Sequence, residues 1–176
     1  SPETLADYLS HFDGRLRALS RTHTLLAHSR DECADLEQIV REELLPFDSP
    51  GQGQVQITGP RVQLKSLAAE SLSLAVHELA ANALKFGALS TVAGRVDVSW
   101  RFTPSSAGPL LRFRWRERGV QAVEMRPARI GVGRQLIEQG LGYDLGARVS
   151  LQFAPGGLVC DLEIPLTKDV EVRRHD

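Results

Sequence analysis

The 176 residues of this chain contain few cysteines and no long apolar run, two features that would point to a metal-binding, disulfide-bonded or membrane protein. There are two cysteines, Cys33 and Cys160, and their wide separation fits no metal-ligand spacing. We therefore expect reduced, buried or half-buried thiols in a cytoplasmic protein. No apolar run approaches the roughly 20 residues that a bilayer-spanning helix needs, so we expect no membrane segment in this chain.

A strong excess of charge of either sign is also missing, since the formal net charge is −1. The chain therefore has no global electrostatic attraction to nucleic acid or to an anionic membrane. Alternate residues from Arg112 to Arg118 are arginines, but one basic strand in a near-neutral chain is typical of a solvated face paired with acids such as Asp97. We expect no nucleic-acid partner. A hydrophobic content of 42% suffices for one domain with a core.

Apolar residues near the N-terminus predict one long helix. They recur at alternating spacings of four and three, which makes a narrow stripe of the kind that packs against another helix in a hairpin or a dimer. The stripe consists of Leu5, Leu9, Phe12, Leu16, Leu19, His23 and Leu26. We expect His23 to be packed within it. A second helix is predicted to begin at a cap on Asp31, to use Cys33 in its apolar face and to end at Pro46.

The rest of the chain shows strand and helix patterns in alternation. Two short strands are predicted around a turn at Gly59-Pro60, followed by a long helix that Ser66 caps and Gly87 ends. Period-two alternation predicts three further elements: strands over 95–102 and 111–118 and a closing hairpin over 149–164. These patterns predict an α+β sandwich, in which a mixed, largely antiparallel sheet carries helices on one face after a long N-terminal α-helix.

One stretch of the long helix, HELAANALKFGALS at residues 77–90, carries three polar residues on one side. Glu78, Asn82 and Lys85 follow one another at spacings of four and three, so they project from neighbouring helical positions. They offer a base, a neutral oxygen ligand and a cation, which suits a magnesium-bound polyphosphate. The alternative is a solvated, inert helix face, although asparagine is unfavourable in a helix interior.

A carboxylate and three glycines add to this pattern. Glu117 falls on the apolar face of its strand, where it needs a partner: an exocyclic amine such as that of adenine, or one of the arginines. Gly119 would let a base approach the backbone closely. Gly131 and Gly133 precede a helix, so they either present amides to phosphates or simply cap it.

These residues carry a resemblance to the HWE family of bacterial sensor histidine kinases. Residues 77–90 resemble the family's N box, and Trp115-Arg116-Glu117 resembles its W-x-E motif. The His, Trp and Glu of the family name match His77, Trp115 and Glu117. Gly131-Val132-Gly133 with Leu136-Ile137 is similar to its glycine box. Upstream, the segment from Phe12 to Leu26 resembles the second helix of the dimerisation and phosphotransfer hairpin.

The resemblance implies a Bergerat-type ATP-binding fold with ATP and Mg²⁺. It implies that Asn82 holds magnesium, that Glu78 is the base or orients water, and that Lys85 contacts phosphate. It further implies that Glu117 recognises adenine and that Gly131 and Gly133 flank the phosphates. His77 and Trp115 belong to the motifs without an assigned chemical role. The implied domains are 1–28 for the second hairpin helix, 29–167 for the catalytic domain and 168–176 for a polar tail.

The function that the resemblance implies is transfer of the γ-phosphoryl group of ATP to a histidine and then to an aspartate of a response regulator, by a homodimer formed through the N-terminal helix. The chain departs from the family at Val120, where proline is frequent, and at Phe86, which replaces a tyrosine. No H box with a phosphoacceptor histidine is found in these residues. The alternative function is a degenerate phosphotransfer or docking scaffold that does not bind ATP.

Overall fold

The computed structural model describes residues 4–48, 53–120, 131–168 and 170–171. It begins with helix α1, Leu5–Ala27, as the apolar spacing predicts. Thr4 caps this helix, and its side chain and that of Asp7 each accept the other residue's backbone N–H. The two bonds satisfy donors that the first helical turn leaves unpaired.

The apolar stripe of α1 is mostly open to solvent. Its first four members are half exposed or more, and burial is reached at Leu26. The face of α1 that packs on the protein instead carries Ala18 and Thr22. The expectation that His23 is packed was wrong, because its ring is exposed and lies 3.3 Å from the Glu70 carboxylate.

One sheet is small and has three strands: β1, Cys33–Asp35, β3, Gln63–Lys65, and β8, Val170–Glu171. Their order in the sheet is β1-β3-β8. The predicted cap at Asp31 was wrong: Cys33 belongs to β1, and Asp35 caps α2, Leu36–Leu44, by accepting from Glu37 N at 2.8 Å. Strand pairing buries Ala34 and Leu64, which explains why the segment is extended rather than helical. β8 lies within the predicted polar tail, which therefore contributes a strand to this sheet.

The main sheet has five strands: β2, Val55–Thr58, β4, Arg95–Thr103, β5, Leu110–Arg118, β6, Arg148–Ala154, and β7, Gly157–Pro165. Their order in the sheet is β2-β4-β5-β7-β6. β2 runs parallel to β4, and the other pairs are antiparallel. The short strands before and after Gly59-Pro60 are therefore not partners, since β2 and β3 belong to different sheets.

The long helix α3, Ser66–Phe86, packs across one face of this sheet. Its apolar residues at spacings of four and three are buried, from Leu72 to Ala83, and Gly87 ends the helix. Ser66 is the first helical residue, and Lys65 occupies the N-cap position, which corrects the predicted cap at Ser66. The predicted architecture is otherwise confirmed: a mixed, largely antiparallel sheet with helices on one face, preceded by a long helix.

The last helical segment comprises α4, Gly131–Gln135, a π-helical turn over Leu136–Gly140, and α5, Leu141–Leu145. Residues 121–130 lie outside the described residues. Both cysteines are buried as predicted, and burial raises the pKa of the Cys160 thiol to about 12. In the described part of the chain, no helix has both the length and the apolar character to cross a membrane.

Candidate functional site

The predicted polar residues of α3 differ in their exposure to solvent. Glu78 lies beside the buried stripe residue Leu79 and is 3% exposed. Asn82, one turn later, is half-buried, and Lys85 is exposed at the end of the helix. The helix therefore presents an acid, an amide and a cation along a line that leads from the core to solvent.

The Glu78 carboxylate has a partner on the N-terminal helix. Arg15 Nε donates to Glu78 Oε1 at 2.6 Å, across a separation of 63 residues in sequence. Among the described residues, Arg15 is the only side chain that donates to this carboxylate. A buried carboxylate needs such a donor because desolvation penalises an isolated charge. The contact joins α1 to the residue that was predicted to act as the base.

The start of α4 meets the same two side chains of α3. A Cβ atom at Gly133 would lie 2.7 Å from Glu78 Oε2 and 3.5 Å from Asn82 Nδ2. A larger residue would therefore displace the carboxylate. The structure brings Glu78, Asn82 and Gly133 together, and Gly131 forms the first residue of the same helix.

Lys85 has a contact that sequence reasoning did not suggest. Its Nζ lies 2.6 Å from Nε2 of His11 on α1. Lysine can only donate, so Nε2 of His11 is the acceptor in this contact. The ammonium is exposed, and a ligand anion would compete with His11 for it.

His77 points to α2 rather than toward Asn82. Its Nδ1 lies 3.0 Å from Oε2 of the buried Glu43. Arg21 Nη2 contacts both oxygens of the same carboxylate, at 2.7 and 2.9 Å. His77 is thus one member of a hydrogen-bonded group that joins α1, α2 and α3.

Glu117 is the buried carboxylate at the end of β5, and its apolar-face position is confirmed at 4% exposure. Its Oε2 accepts from Ala88 N at 2.9 Å, and its Oε1 accepts from Trp115 Nε1 at 3.2 Å. Burial raises the pKa of the Glu117 carboxyl above its ordinary value, and the two hydrogen bonds oppose that rise. The partners are neutral N–H groups, not one of the arginines.

Two glycines lie close to Glu117. A Cβ atom at Gly157 would lie 2.6 Å from Glu117 Cβ, and one at Gly87 would overlap Glu117 Oε2. The absence of a side chain at Gly87 therefore leaves room for the carboxylate, and its absence at Gly157 leaves room for the Cβ and backbone of Glu117. Because Gly87 and Gly157 come from distant parts of the chain, the space at Glu117 is a product of the fold.

Gly119 has a left-handed backbone, with φ of +80°. A Cβ atom there would lie 2.7 Å from the Ala93 carbonyl oxygen, so the close approach in this structure is by protein backbone. Val120 N, one residue later, donates to Gly156 O at 2.9 Å. Glycine is favoured at position 119 for two reasons: the backbone is left-handed, and a Cβ atom would clash with the Ala93 carbonyl oxygen.

The predicted residues form two separate groups along α3. Glu78, Asn82 and Gly133 meet at the middle of the helix, whereas Glu117 lies against its C-terminal end at Gly87. The rise of an α-helix from Glu78 to Gly87 is about 13 Å. An elongated ligand could therefore touch both groups, with its anionic part near Glu78 and Asn82 and a neutral amine near Glu117.

Sequence reasoning missed Arg15, Arg21 and Glu43. Only Glu43 left a local signal: it stands three residues after Val40 and seven after Leu36, which places it on the apolar face of α2. Arg15 and Arg21 lie off the apolar stripe of α1, as ordinary solvated residues do. Their partners are remote in sequence, so no spacing could reveal them.

The chain is similar to known proteins. Residues 1–61 match the family model described as HWE histidine kinase. The chain is 39% identical over 159 residues to a blue-light-activated histidine kinase of Brucella anthropi, and 36% identical over 160 residues to that of Brucella ovis. Each match covers 90% of this chain and 32% of the relative. The chain thus spans about a third of the length of these relatives.

Solved structures share the fold. The blue-light activated histidine kinase of Erythrobacter litoralis EL346 superposes with a TM-score of 0.63 at 21% identity, over 89% of this chain and 54% of that one. The catalytic domain of the histidine kinase ThkA superposes with a TM-score of 0.52 at 13% identity, over 76% of this chain and 95% of that one. At these identities the likeness concerns the fold alone.

Proposed function

We propose that the chain is the ATP-binding catalytic region of a two-component sensor kinase of the HWE family, which its similarity to the HWE histidine kinase model and to blue-light-activated histidine kinases supports. The observation that carries the proposal is the convergence of Glu78 and Asn82 on Gly133, with Glu117 buried against the C-terminal end of the same helix. The first group suits a phosphate chain, and the second suits a base with an exocyclic amine.

The residues at the middle of α3 fit a magnesium-bound triphosphate. Asn82 offers a neutral oxygen of the kind that Mg²⁺ accepts while it keeps several waters. Gly133 leaves space beside that amide, and Lys85 can exchange His11 for a phosphate oxygen. When bound, Mg²⁺ would neutralise charge on the phosphates. Asn82 would hold the ion, and Gly131 and Gly133 would flank the phosphates at the start of α4.

In the proposed reaction, a nitrogen of the acceptor histidine attacks the γ-phosphorus of ATP. The N–P bond forms as the bond to the β,γ-bridging oxygen breaks, and ADP leaves. Glu78 Oε2 would orient the acceptor or a water and take the proton. The phosphoryl group would then pass to an aspartate of a response regulator. The acceptor histidine is not assigned to this chain, and in the proposal it comes from the phosphotransfer hairpin.

The N-terminal helix would be the second helix of that hairpin, over residues 1–28, with the ATP-binding domain over 29–167 and the polar tail over 168–176. The half-exposed stripe of α1, from Leu5 to Leu16, supports a homodimer through this helix. The two buried thiols are compatible with a cytoplasmic location.

The alternative is a scaffold of the same fold that does not bind ATP. Two observations favour it: α1 already occupies Glu78 and Lys85, and both oxygens of Glu117 already accept hydrogen bonds. However, a carboxylate has about four acceptor sites, so Glu117 retains capacity for an amine. We therefore prefer the kinase function.

Titration of Mg-ATP into the protein, followed by calorimetry, distinguishes the kinase from the scaffold. The wild-type protein is expected to bind, and Asn82→Ala is expected to weaken binding at least tenfold because it removes the amide oxygen. Gln38→Ala, which removes an exposed amide from α2, is the matched control and should bind like the wild type. Absence of binding at millimolar ATP, or equal binding by Asn82→Ala, would favour the scaffold.

A further inference from the structure

The contact between Arg15 and Glu78 is more enclosed than a surface ion pair. The two side chains are 22% and 4% exposed, and the Nε–Oε1 distance is 2.6 Å. Charge pairs that are shielded from water and salt interact more strongly than exposed pairs. We therefore expect the pair to link α1 to α3 more strongly than a surface ion pair would.

The geometry of the pair sets the direction of the second carboxylate oxygen. Arg15 holds Oε1, and Oε2 faces Gly133, where a Cβ atom would lie 2.7 Å away. The carboxylate is planar, so fixing one oxygen from the α1 side restricts the other to the side of Asn82 and Gly133. This is the side on which the proposed function places the phosphates.

Contacts on both sides of Arg15 hold α1 in this register. Before it, Gly14 packs closely on His77, since a Cβ atom there would lie 2.8 Å from His77 Nε2. Beyond it, Arg21 contacts the buried Glu43 carboxylate. The close approach at Gly14 and the ion pair of Arg21 fix the position of α1 against α2 and α3. Arg15 lies between these two contacts, so the backbone of α1 places its side chain beside Glu78.

We propose that Arg15 is a positioning residue that orients the Glu78 carboxylate toward Gly133, an inference that rests on the proposed kinase function. It makes α1 part of the catalytic apparatus as well as an association helix. Arg17, two residues later, provides the contrast: it is 73% exposed and pairs with Asp13 of its own helix. Only one of these two arginines reaches α3.

The test measures autophosphorylation by the full-length protein as a function of Mg-ATP concentration. Arg15→Met should lower kcat by about tenfold or more, part of the 10²–10⁴-fold that a general base contributes, and should leave KM within about twofold. Arg15→Lys should recover part of the rate, because it restores a cation but not the fixed direction of the guanidinium. Arg17→Met should behave like the wild type. Equal rates for Arg15→Met and Arg17→Met, or a faster Arg15→Met, would overturn the inference.

A double-mutant comparison separates positioning from a structural role. If Arg15 acts through Glu78, Arg15→Met should cause no further loss of kcat in a Glu78→Gln background. A further tenfold loss there, or a parallel rise in KM and fall in melting temperature, would show that Arg15 acts by holding the fold.

The same experiment distinguishes failure of the inference from failure of the proposed function. If the wild-type protein neither binds Mg-ATP nor becomes phosphorylated, the kinase proposal is refuted, and the role of Arg15 in it falls too. If the wild type is active and Arg15→Met is equally active, only the positioning role is refuted.

Discussion

Glu78 and Glu117 are two almost equally buried carboxylates with opposite surroundings. Glu78 lies opposite a guanidinium from another helix, whereas Glu117 accepts from a backbone amide and an indole, both neutral. Burial raises the pKa of Glu117. A carboxylate held by a guanidinium suits the orientation of a nucleophile, and one among neutral donors suits recognition of a neutral amine. Two carboxylates with similar burial can therefore have different chemical roles, because the groups that contact each one determine its chemistry.

The largest effect that tests this comparison is expected from Glu78→Gln. The substitution keeps the shape of the side chain but removes the charge and the base, so phosphoryl transfer should fall by about 10²-fold or more. Binding of Mg-ATP should change little, because Asn82 and Glu117 remain. Phosphorylation rates and calorimetry on the same preparation measure both properties. A loss of binding that equals the loss of rate would contradict the division of roles.

Glu117→Ala should show the reverse pattern. Removing the acceptor for the base should weaken Mg-ATP binding about tenfold, the equivalent of about 1.4 kcal/mol, with little change in the folded structure. The control is Glu163→Ala, which removes a carboxylate from the outer face of β7, where it pairs with Arg112. Unchanged ATP affinity in Glu117→Ala would refute the adenine role.

Gly87→Ala tests whether the space beside Glu117 matters. The added methyl group would overlap the carboxylate, although the backbone at Gly87 is not left-handed. We expect a loss of about 1–3 kcal/mol of unfolding free energy from overpacking, together with weaker ATP binding. Gly140→Ala, a helical position with no atom within 4 Å of the new methyl, should be neutral or stabilised by up to about 1 kcal/mol. Urea unfolding of both variants measures these changes in stability, and equal stability of the two variants would contradict the prediction.

The smallest effect concerns pH. Because the pKa of Glu117 is raised in the folded state, the folded protein binds more protons than the unfolded chain just above the ordinary glutamate pKa of about 4.3. The stability of the wild type relative to Glu117→Gln should therefore be greatest below that value and fall as the pH rises through the raised pKa. Urea unfolding from pH 4 to pH 8 measures the difference, and a difference that grows with pH would contradict the assignment.

Much of the fold was predictable from local patterns. Alternation in β4 and β5 correctly placed Trp115 and Glu117 on the buried face, and the spacing of Leu72, Val76 and Leu79 correctly gave the buried side of α3. Prediction failed where a segment depends on a remote partner. The extended conformation of Cys33–Asp35 exists because it pairs with β3, so the local helical pattern from Asp31 was misleading.

The candidate site shows the same division between what local patterns predict and what remote contacts determine. Sequence alone identified Glu78, Asn82, Lys85 and Glu117 as candidates and placed each on its helix or strand, because helical and strand periods determine which side of an element a residue occupies. Their partners were decided by tertiary structure: Arg15 for Glu78, His11 for Lys85, and Ala88 and Trp115 for Glu117. Pairing between elements depends on how α1 and the sheet pack against α3, and a contact across 63 residues leaves no periodic trace in the chain.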